Sequence, residues 1–258
     1  MDNWNSKQYL RFKEERTQPS KDLISRLSGL DPKSIIDIGC GPGNSTAALK
    51  SAFPKAEVLG VDNSENMIKS AREEHENIDF MLCDVSVDLD KINKKFDIVF
   101  SNACIQWVPD HYNLLKNMMN LLNNKGVLAV QTPMNYHEPI HEIIKETIAE
   151  PNWKNKISKS RIFYNLKPEE YHDCLSEISC DFNEWSVTYF HKLKSHEDII
   201  EWYKSTGLRP YLSALNENDK RVFLKEIYKK VKKAYPVQKN GEIIFKFPRL
   251  FFTAVKGE

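Results

Sequence analysis

Short, mainly apolar runs alternate along this chain with amphipathic stretches. Ile35, Ile36 and Ile38 make the first run; Val58–Val61, Phe80–Leu82, Phe96–Phe100 and Val127–Val130 follow. Each is too short for a buried helix and is bounded by turn formers, so each predicts a strand covered on both faces, as in a parallel sheet. Between the runs, apolar residues recur at helical spacing: Leu23, Ile24 and Leu27; Met67, Ile68 and Ala71; Leu114, Leu115, Met118 and Leu122. The corresponding helices are expected at Asp22–Leu30, after the Gly39–Gly43 loop through Ala47–Leu49, after Ser64, and after Asp110. Five strand–helix units in succession predict a doubly wound α/β fold.

Beyond Pro133 the pattern changes. Residues 134–165 are aromatic and lysine-rich with a broken apolar period, which suggests an inserted lid. A helix is expected at Glu169–Ile178 and an alternating strand at Asp181–Leu193. Ser195-His-Glu-Asp198 resembles a capping box and opens a helix carrying Ile199, Ile200, Trp202 and Tyr203 up to Gly207. Asn216–Tyr235 reads as a charged helix, and Ile243–Val255 as a final strand. The expected organisation is therefore one domain. Residues 1–133 are an N-terminal arm and a cofactor-binding core. Residues 134–258 are a helical lid made from insertions, plus strands completing a seven-stranded, mostly parallel sheet. In the arm, Trp4, Tyr9, Leu10 and Phe12 stand at roughly helical spacing; either they pack on the domain, or Tyr9 and Arg16 face the pocket.

Charge narrows the possible partners. The 258 residues carry 37 basic and 36 acidic side chains, a net charge of +1, which argues against a surface built on nucleic-acid phosphates. No apolar run is long enough for a membrane span, and the first residues lack the basic and apolar segments of a signal peptide. The five cysteines are odd in number and form no Cys-x-x-Cys. They are expected to be reduced thiols in a cytoplasmic protein, taken here as a monomer acting on a small molecule.

The chemistry centres on Ser34–Thr46. Gly39, Gly41 and Gly43 follow the first strand in alternation, where glycine lets the chain turn tightly and bring backbone N–H groups near a ligand. Asn44, Ser45 or Thr46 is expected to cap the next helix. Asp37, two residues before the first glycine, would repel a pyrophosphate. S-adenosylmethionine (SAM) has no phosphate and presents an ammonium and a sulfonium, so an acid suits it. Asp62, with Asn63, ends the second strand about 20 residues on, where a ribose-binding acid belongs in this class of fold. Asp84 can accept from an adenine amino group while the Val85 N–H meets a ring nitrogen. Asn102–Trp107 should line the cleft at the sheet's switch point. His137-Glu-Pro-Ile-His141 matches a zinc-protease pattern, but Pro139 between the histidines is expected to start the helix and leave His137 outside it; no metal is expected.

The loop Asp37–Gly43, with Asp62, Asp84 and Asn102, resembles that of class I SAM-dependent methyltransferases. More narrowly, Trp4-Asn5, Gly41–Thr46, Asn102–Tyr112, Gly126–Gln131, Thr206–Pro210 and Phe247–Phe251 resemble the bacterial trans-aconitate methyltransferases, so the likeness spans nearly the whole chain. It implies SAM as cofactor, bound by Asp37, Gly39, Gly41, Asp62, Asn63, Asp84, Val85 and Asn102. It also implies a small polycarboxylate acceptor converted to its monomethyl ester. A carboxylate of pKa about 4 is already ionised at neutral pH, so no general base, and hence no catalytic residue in that sense, is expected; catalysis rests on alignment. The acceptor's other carboxylates need cations. Arg209 and Arg249, the latter in a Phe-Pro-Arg-Leu-Phe turn, are the leading candidates. Tyr9, Gln106, Trp107, His111 and Tyr136 are secondary ones. Met134-Asn-Tyr136 and Cys104 depart from the family's pattern. A methyltransferase acting on a malonyl-carrier protein, a nucleotide-dependent oxidoreductase and a non-catalytic SAM-binding protein are the alternatives.

Overall fold

A computed structural model describes residues 13–157, 162–204 and 206–258. Helix α1 (Lys13–Ser25) precedes β1 (Ser34–Ile38), α2 (Asn44–Ala52), β2 (Glu57–Asp62), α3 (Glu65–Glu74) and β3 (Asp79–Leu82). Then come β4 (Phe96–Asn102), α4 (His111–Asn120) and β5 (Leu122–Pro133). The strands lie in one seven-stranded sheet ordered β3-β2-β1-β4-β5-β7-β6, with β6 at Phe182–Leu193 and β7 at Ile243–Val255. The pairings β1·β2, β1·β4, β2·β3 and β4·β5 are all parallel. The strand order reverses between β1 and β4, the place where the carboxyl ends of the strands leave a crevice.

Burial follows the expectation for a parallel sheet. All five residues of β1 are buried, as are Ile98, Val99 and Phe100 of β4 and Leu128, Ala129 and Val130 of β5. Each large aliphatic side chain so buried contributes about 1.5–3 kcal/mol. β3, at the sheet edge, buries only Phe80. Gly60 in β2 admits it, since a Cβ there would stand 2.6 Å from the Phe80 ring.

By its contacts the chain divides into two units. The described residues of 1–133, 164–187 and 250–258 form the first, and those of 134–163 and 188–249 the second; β6 and β7 contribute residues to both. The first unit also holds α7 (Pro168–Ile178), which packs on α4. The second holds α5 (Pro139–Ala149), α6 (Pro151–Lys154), α8 (His196–Lys204), α9 (Arg209–Ser213) and α10 (Glu217–Ala234). Here α10 packs on both α5 and α8.

Several boundaries depart from the sequence pattern. The first helix ends at Ser25 rather than running from Asp22 to Leu30, although Leu23, Ile24 and Leu27 are buried as expected. Leu122 opens β5 instead of closing α4: it pairs with Phe96 of β4, and the register shifts before Ile98 meets Val127, a stretch in which Lys125 has φ 62°. The described part of 134–165 contains two helices, each started by a proline at its first position. At α8 the Ser195–Asp198 capping box forms: Asp198 N–H donates to Ser195 Oγ at 3.3 Å, and Ser195 N–H to Asp198 Oδ2 at 3.1 Å.

Candidate functional site

The glycine loop leaves β1 beside the end of β2, and its backbone donors turn inward. Gly39 N–H (2.8 Å) and Cys40 N–H (3.0 Å) both donate to the Val61 carbonyl, and Gly43 N–H donates to that of Cys40. Gly41 N–H donates to Asp62 Oδ2 at 3.0 Å. The expectation that these amides face a ligand is therefore corrected. They hold the loop to the second strand, and a pyrophosphate would find none of these four free. Glycine is required for shape: Gly39 has φ +75°, and a Cβ there would overlap Cys104 Cβ and Sγ.

What the loop presents is negative charge. Asp37 is fully buried, and its Oδ2 accepts from Ser45 Oγ at 2.6 Å and Thr46 Oγ1 at 2.7 Å. These hydroxyls thus serve the carboxylate and do not cap α2, whose N-cap is Gly43 in the left-handed conformation. Asp37 Oδ1 is buried with no hydrogen-bond partner. Burial first, and the nearby Asp62 in addition, push the Asp37 carboxyl up to about 6 against the pull of the two hydroxyls. Asp62 is fixed by Gly41 N–H and by Ser64 N–H at 2.9 Å, and burial raises its carboxyl too. Asn63 is exposed, and its own N–H also supports Asp62. A cation suits a buried carboxylate with one oxygen unpaired; a dianion does not. These residues fit SAM.

Asp84 follows β3 and accepts from Ser86 N–H (3.0 Å) and Ser86 Oγ (2.6 Å) through Oδ1. Val85 beside it is buried. Asn102 ends β4, and its Oδ1 is a second buried, unpartnered oxygen. The next residue, Ala103, has φ 55°, a strained setting for a residue with a Cβ. Gln106 Nε2 holds the Ala103 carbonyl at 2.7 Å, while Ala103 N–H donates to the Gln131 carbonyl. Tyr164 N–H donates to the Gln106 carbonyl.

Two expected substrate ligands are thereby reassigned. The Gln106 side-chain amide is engaged at both ends, Nε2 within its own loop and Oε1 accepting from Thr132 Oγ1 of β5 at 3.5 Å. His111 is 1% exposed, with Nδ1 2.6 Å from the Tyr171 hydroxyl and Nε2 2.8 Å from the Ile105 carbonyl. Burial lowers its pKa, so the neutral ring accepts from Tyr171 and donates to Ile105. Both nitrogens are occupied by the fold. Trp107 lies in the same short 3-10 turn, half-buried.

Of the remaining candidates, Arg249, Arg209 and Tyr136 lie in the second unit, and Tyr9, with Trp4, Leu10 and Phe12 of the arm, falls outside the described residues. Arg249 is buried within β7, not in a turn; its guanidinium carbon stands 4.4 Å from the Phe247 ring centre and 5.9 Å from that of Tyr189. Pro248 remains in the strand, and its carbonyl accepts from Met134 N–H. Arg209 opens α9, half-buried. Tyr136 lies edge-on against His137. Pro139 starts α5 and leaves His137 outside it, while His141 Nε2 meets the Tyr203 hydroxyl at 2.9 Å. Residues the sequence did not single out are Ser45 and Thr46 as partners of Asp37, Tyr171 as partner of His111, and His191. The hydroxyl pair eight and nine residues after Asp37 is the one local signal among them.

Comparison with known proteins agrees with this geometry. Residues 31–194 match the family model of a methyltransferase domain. The chain is 41% identical over 254 residues to the trans-aconitate 2-methyltransferase of Enterobacter sp. strain 638, covering 98% of each. It is 39% identical over 258 residues to that of Escherichia coli O139:H28, covering 100% of each. Among solved structures, Haemonchus contortus phosphoethanolamine N-methyltransferase 2 in complex with S-adenosyl-L-methionine matches 93% of this chain and 53% of its own. The TM-score is 0.57 at 19% identity, a likeness of fold.

Proposed function

The chain belongs to the methyltransferase family that these relatives define, and on that premise we propose that it methylates a carboxylate of trans-aconitate, giving the monomethyl ester and S-adenosylhomocysteine. The observation that carries the cofactor assignment is the buried Asp37 with its unpaired Oδ1, beneath a glycine loop whose amides are engaged elsewhere. Asp37 Oδ1 would take the α-ammonium of SAM. Asp62, held by the backbone N–H groups of Gly41, Asn63 and Ser64, keeps lone pairs for the ribose hydroxyls. Asp84 and Val85 would meet the adenine, and Asn102 Oδ1 the amino-acid end. Bound there, SAM supplies an electrophilic methyl on a sulfonium, which an ionised carboxylate oxygen can take while the C–S electron pair stays on sulfur.

No proton has to be removed from such an acceptor. The chain's task is to hold the acid in line and keep water out. Arg209 and Arg249 are our candidates for its other carboxylates, since a guanidinium pairs with a carboxylate through two parallel hydrogen bonds. Trp107 and Tyr136 are offered as apolar contacts. A cytoplasmic setting accords with five cysteines that are all free thiols, and among the described residues no helix is long and apolar enough to cross a membrane.

The test is methyl transfer from labelled SAM to a panel of di- and tricarboxylates, with a malonyl-carrier protein included. Turnover greatest on trans-aconitate is expected. Arg209→Ala should raise the acceptor KM about tenfold or more, as expected for loss of a charge-assisted pair, with SAM affinity unchanged. Turnover only on the carrier protein would sink the small-acid reading while leaving the cofactor assignment in place.

A further inference from the structure

Strands β6 and β7 are neighbours in the sheet, and alternate residues of a strand share a face. Within the second unit this brings Tyr189 and His191 of β6 together with Phe245, Phe247 and Arg249 of β7. The His191 ring centre lies 4.9 Å from Trp202 of α8, 5.9 Å from Phe247 and 6.3 Å from Phe245. Arg249 sits over Phe247 and Tyr189, two rings that also flank the histidine. His191 is 7% exposed, and its Nε2 is buried without a hydrogen-bond partner. A phenylalanine would fill an aromatic cluster without burying an unpaired nitrogen, so the imidazole calls for another explanation.

We propose that His191 and Arg249 form one carboxylate anchor for the acceptor, in which His191 donates Nε2–H to an oxygen that Arg249 also holds. The inference rests on the reading that the acceptor is a small polycarboxylate. Burial and the Arg249 charge hold the free imidazole neutral, down to about 4. A neutral ring in the tautomer protonated on Nε2 offers one donor and adds no second positive charge beside the guanidinium. An arriving carboxylate satisfies that N–H and meets the positive guanidinium of Arg249 at the same time. The anchor thus selects an anion with a free, unesterified carboxyl group.

The test compares wild-type protein with His191→Phe, His191→Gln and the exposed neighbour Phe190→Ser as control. Acceptor KM, SAM Kd and thermal midpoint are measured for each. For His191→Phe the acceptor KM should rise about tenfold, the effect of losing one hydrogen bond to a charged group. SAM Kd should stay unchanged, and the thermal midpoint should rise by about 2–4 °C as the unpaired nitrogen is removed. His191→Gln, which keeps a donor, should have a KM between the two; Phe190→Ser should match wild type. If His191→Phe does not fold, His191→Leu carries the same expectation for KM. An unchanged KM in an apolar variant, with wild type active on trans-aconitate, overturns the anchor and leaves the proposed reaction standing. Wild type that binds SAM but neither binds nor methylates any acid overturns the reaction, and the anchor with it.

Discussion

The two units fix their functional groups by different means. In the first, directional hydrogen bonds to or from the backbone do most of the holding, with the Ser45 and Thr46 hydroxyls on Asp37. Asp62 is pinned by the N–H groups of Gly41 and Ser64, and the Asn102 loop is tied through carbonyls at Ala103, Ile105 and Gln106. In the second, ring faces do it: Arg249 lies over Phe247 and Tyr189, and His191 among Trp202, Phe245 and Phe247. Backbone donors are rigid and tolerate no displacement, which suits a cofactor of constant shape. Aromatic walls constrain a cation more loosely and exclude water, which would suit the proposed acceptor, whose oxygens differ in position from acid to acid.

The sharpest way to break this contrast is Gly39→Ala. Its Cβ would overlap Cys104 at a φ of +75°, so backbone and side chain are both opposed. SAM affinity should fall by about 100-fold or more, or the variant should fail to fold, as expected when strain and overpacking of several kcal/mol combine. Near-normal SAM binding, read by calorimetry, would mean the loop yields and is not backbone-set.

A smaller effect is expected from Asp37→Asn. It removes the charge but keeps an oxygen for Ser45 and Thr46. SAM affinity should drop about 10-fold to 100-fold, the range for a buried charge-assisted contact, without loss of thermal stability. The pH dependence has a definite sign. The folded carboxyl titrates near 6, above its ordinary value of 3.8, so the folded state holds this proton more tightly than the unfolded chain. Asp37 therefore makes the fold progressively less stable as pH rises from about 4 to about 6. SAM affinity should climb across the upper part of that window and level off above it. If the Asp37→Asn variant retained the same pH profile of binding, the titration would belong to another group.

Tyr171→Phe should have the least effect. The ring keeps its contact with Phe252, at 5.5 Å between centres, and loses the hydroxyl that meets His111 Nδ1. Freed of that partner, His111 can hold the Ile105 carbonyl less firmly. A rise of about twofold to fivefold in the KM for SAM is expected from a net hydrogen bond of roughly 1 kcal/mol. Nitrogen NMR of His111 should show mixed tautomers where wild type shows one. A single unchanged tautomer would show that Ile105 alone sets the ring.

The sequence by itself determined the alternation of strands and helices, the order in which five units follow one another, and the acids at Asp37, Asp62 and Asp84. These are local properties. A parallel strand buried on both faces has to be largely apolar, a tight turn needs glycine at positive φ, and each of these acids lies at or just past the carboxyl end of its strand. The tertiary structure alone decided which donors those acids and their neighbours use. Gly41 reaches an aspartate 21 residues away, and His111 a tyrosine 60 residues away. The same holds for Gln106, whose donor–acceptor pattern fits a substrate contact equally well until Ala103 is seen in its left-handed conformation. Arg249 read as a turn residue because Pro248 precedes it, yet the strand carries the proline through. His191 and its ring neighbours come from β6, α8 and β7, and no period along the chain relates them. Hydrogen bonds and ring contacts depend on where distant segments meet, and apolar pattern records only which face of each segment is covered.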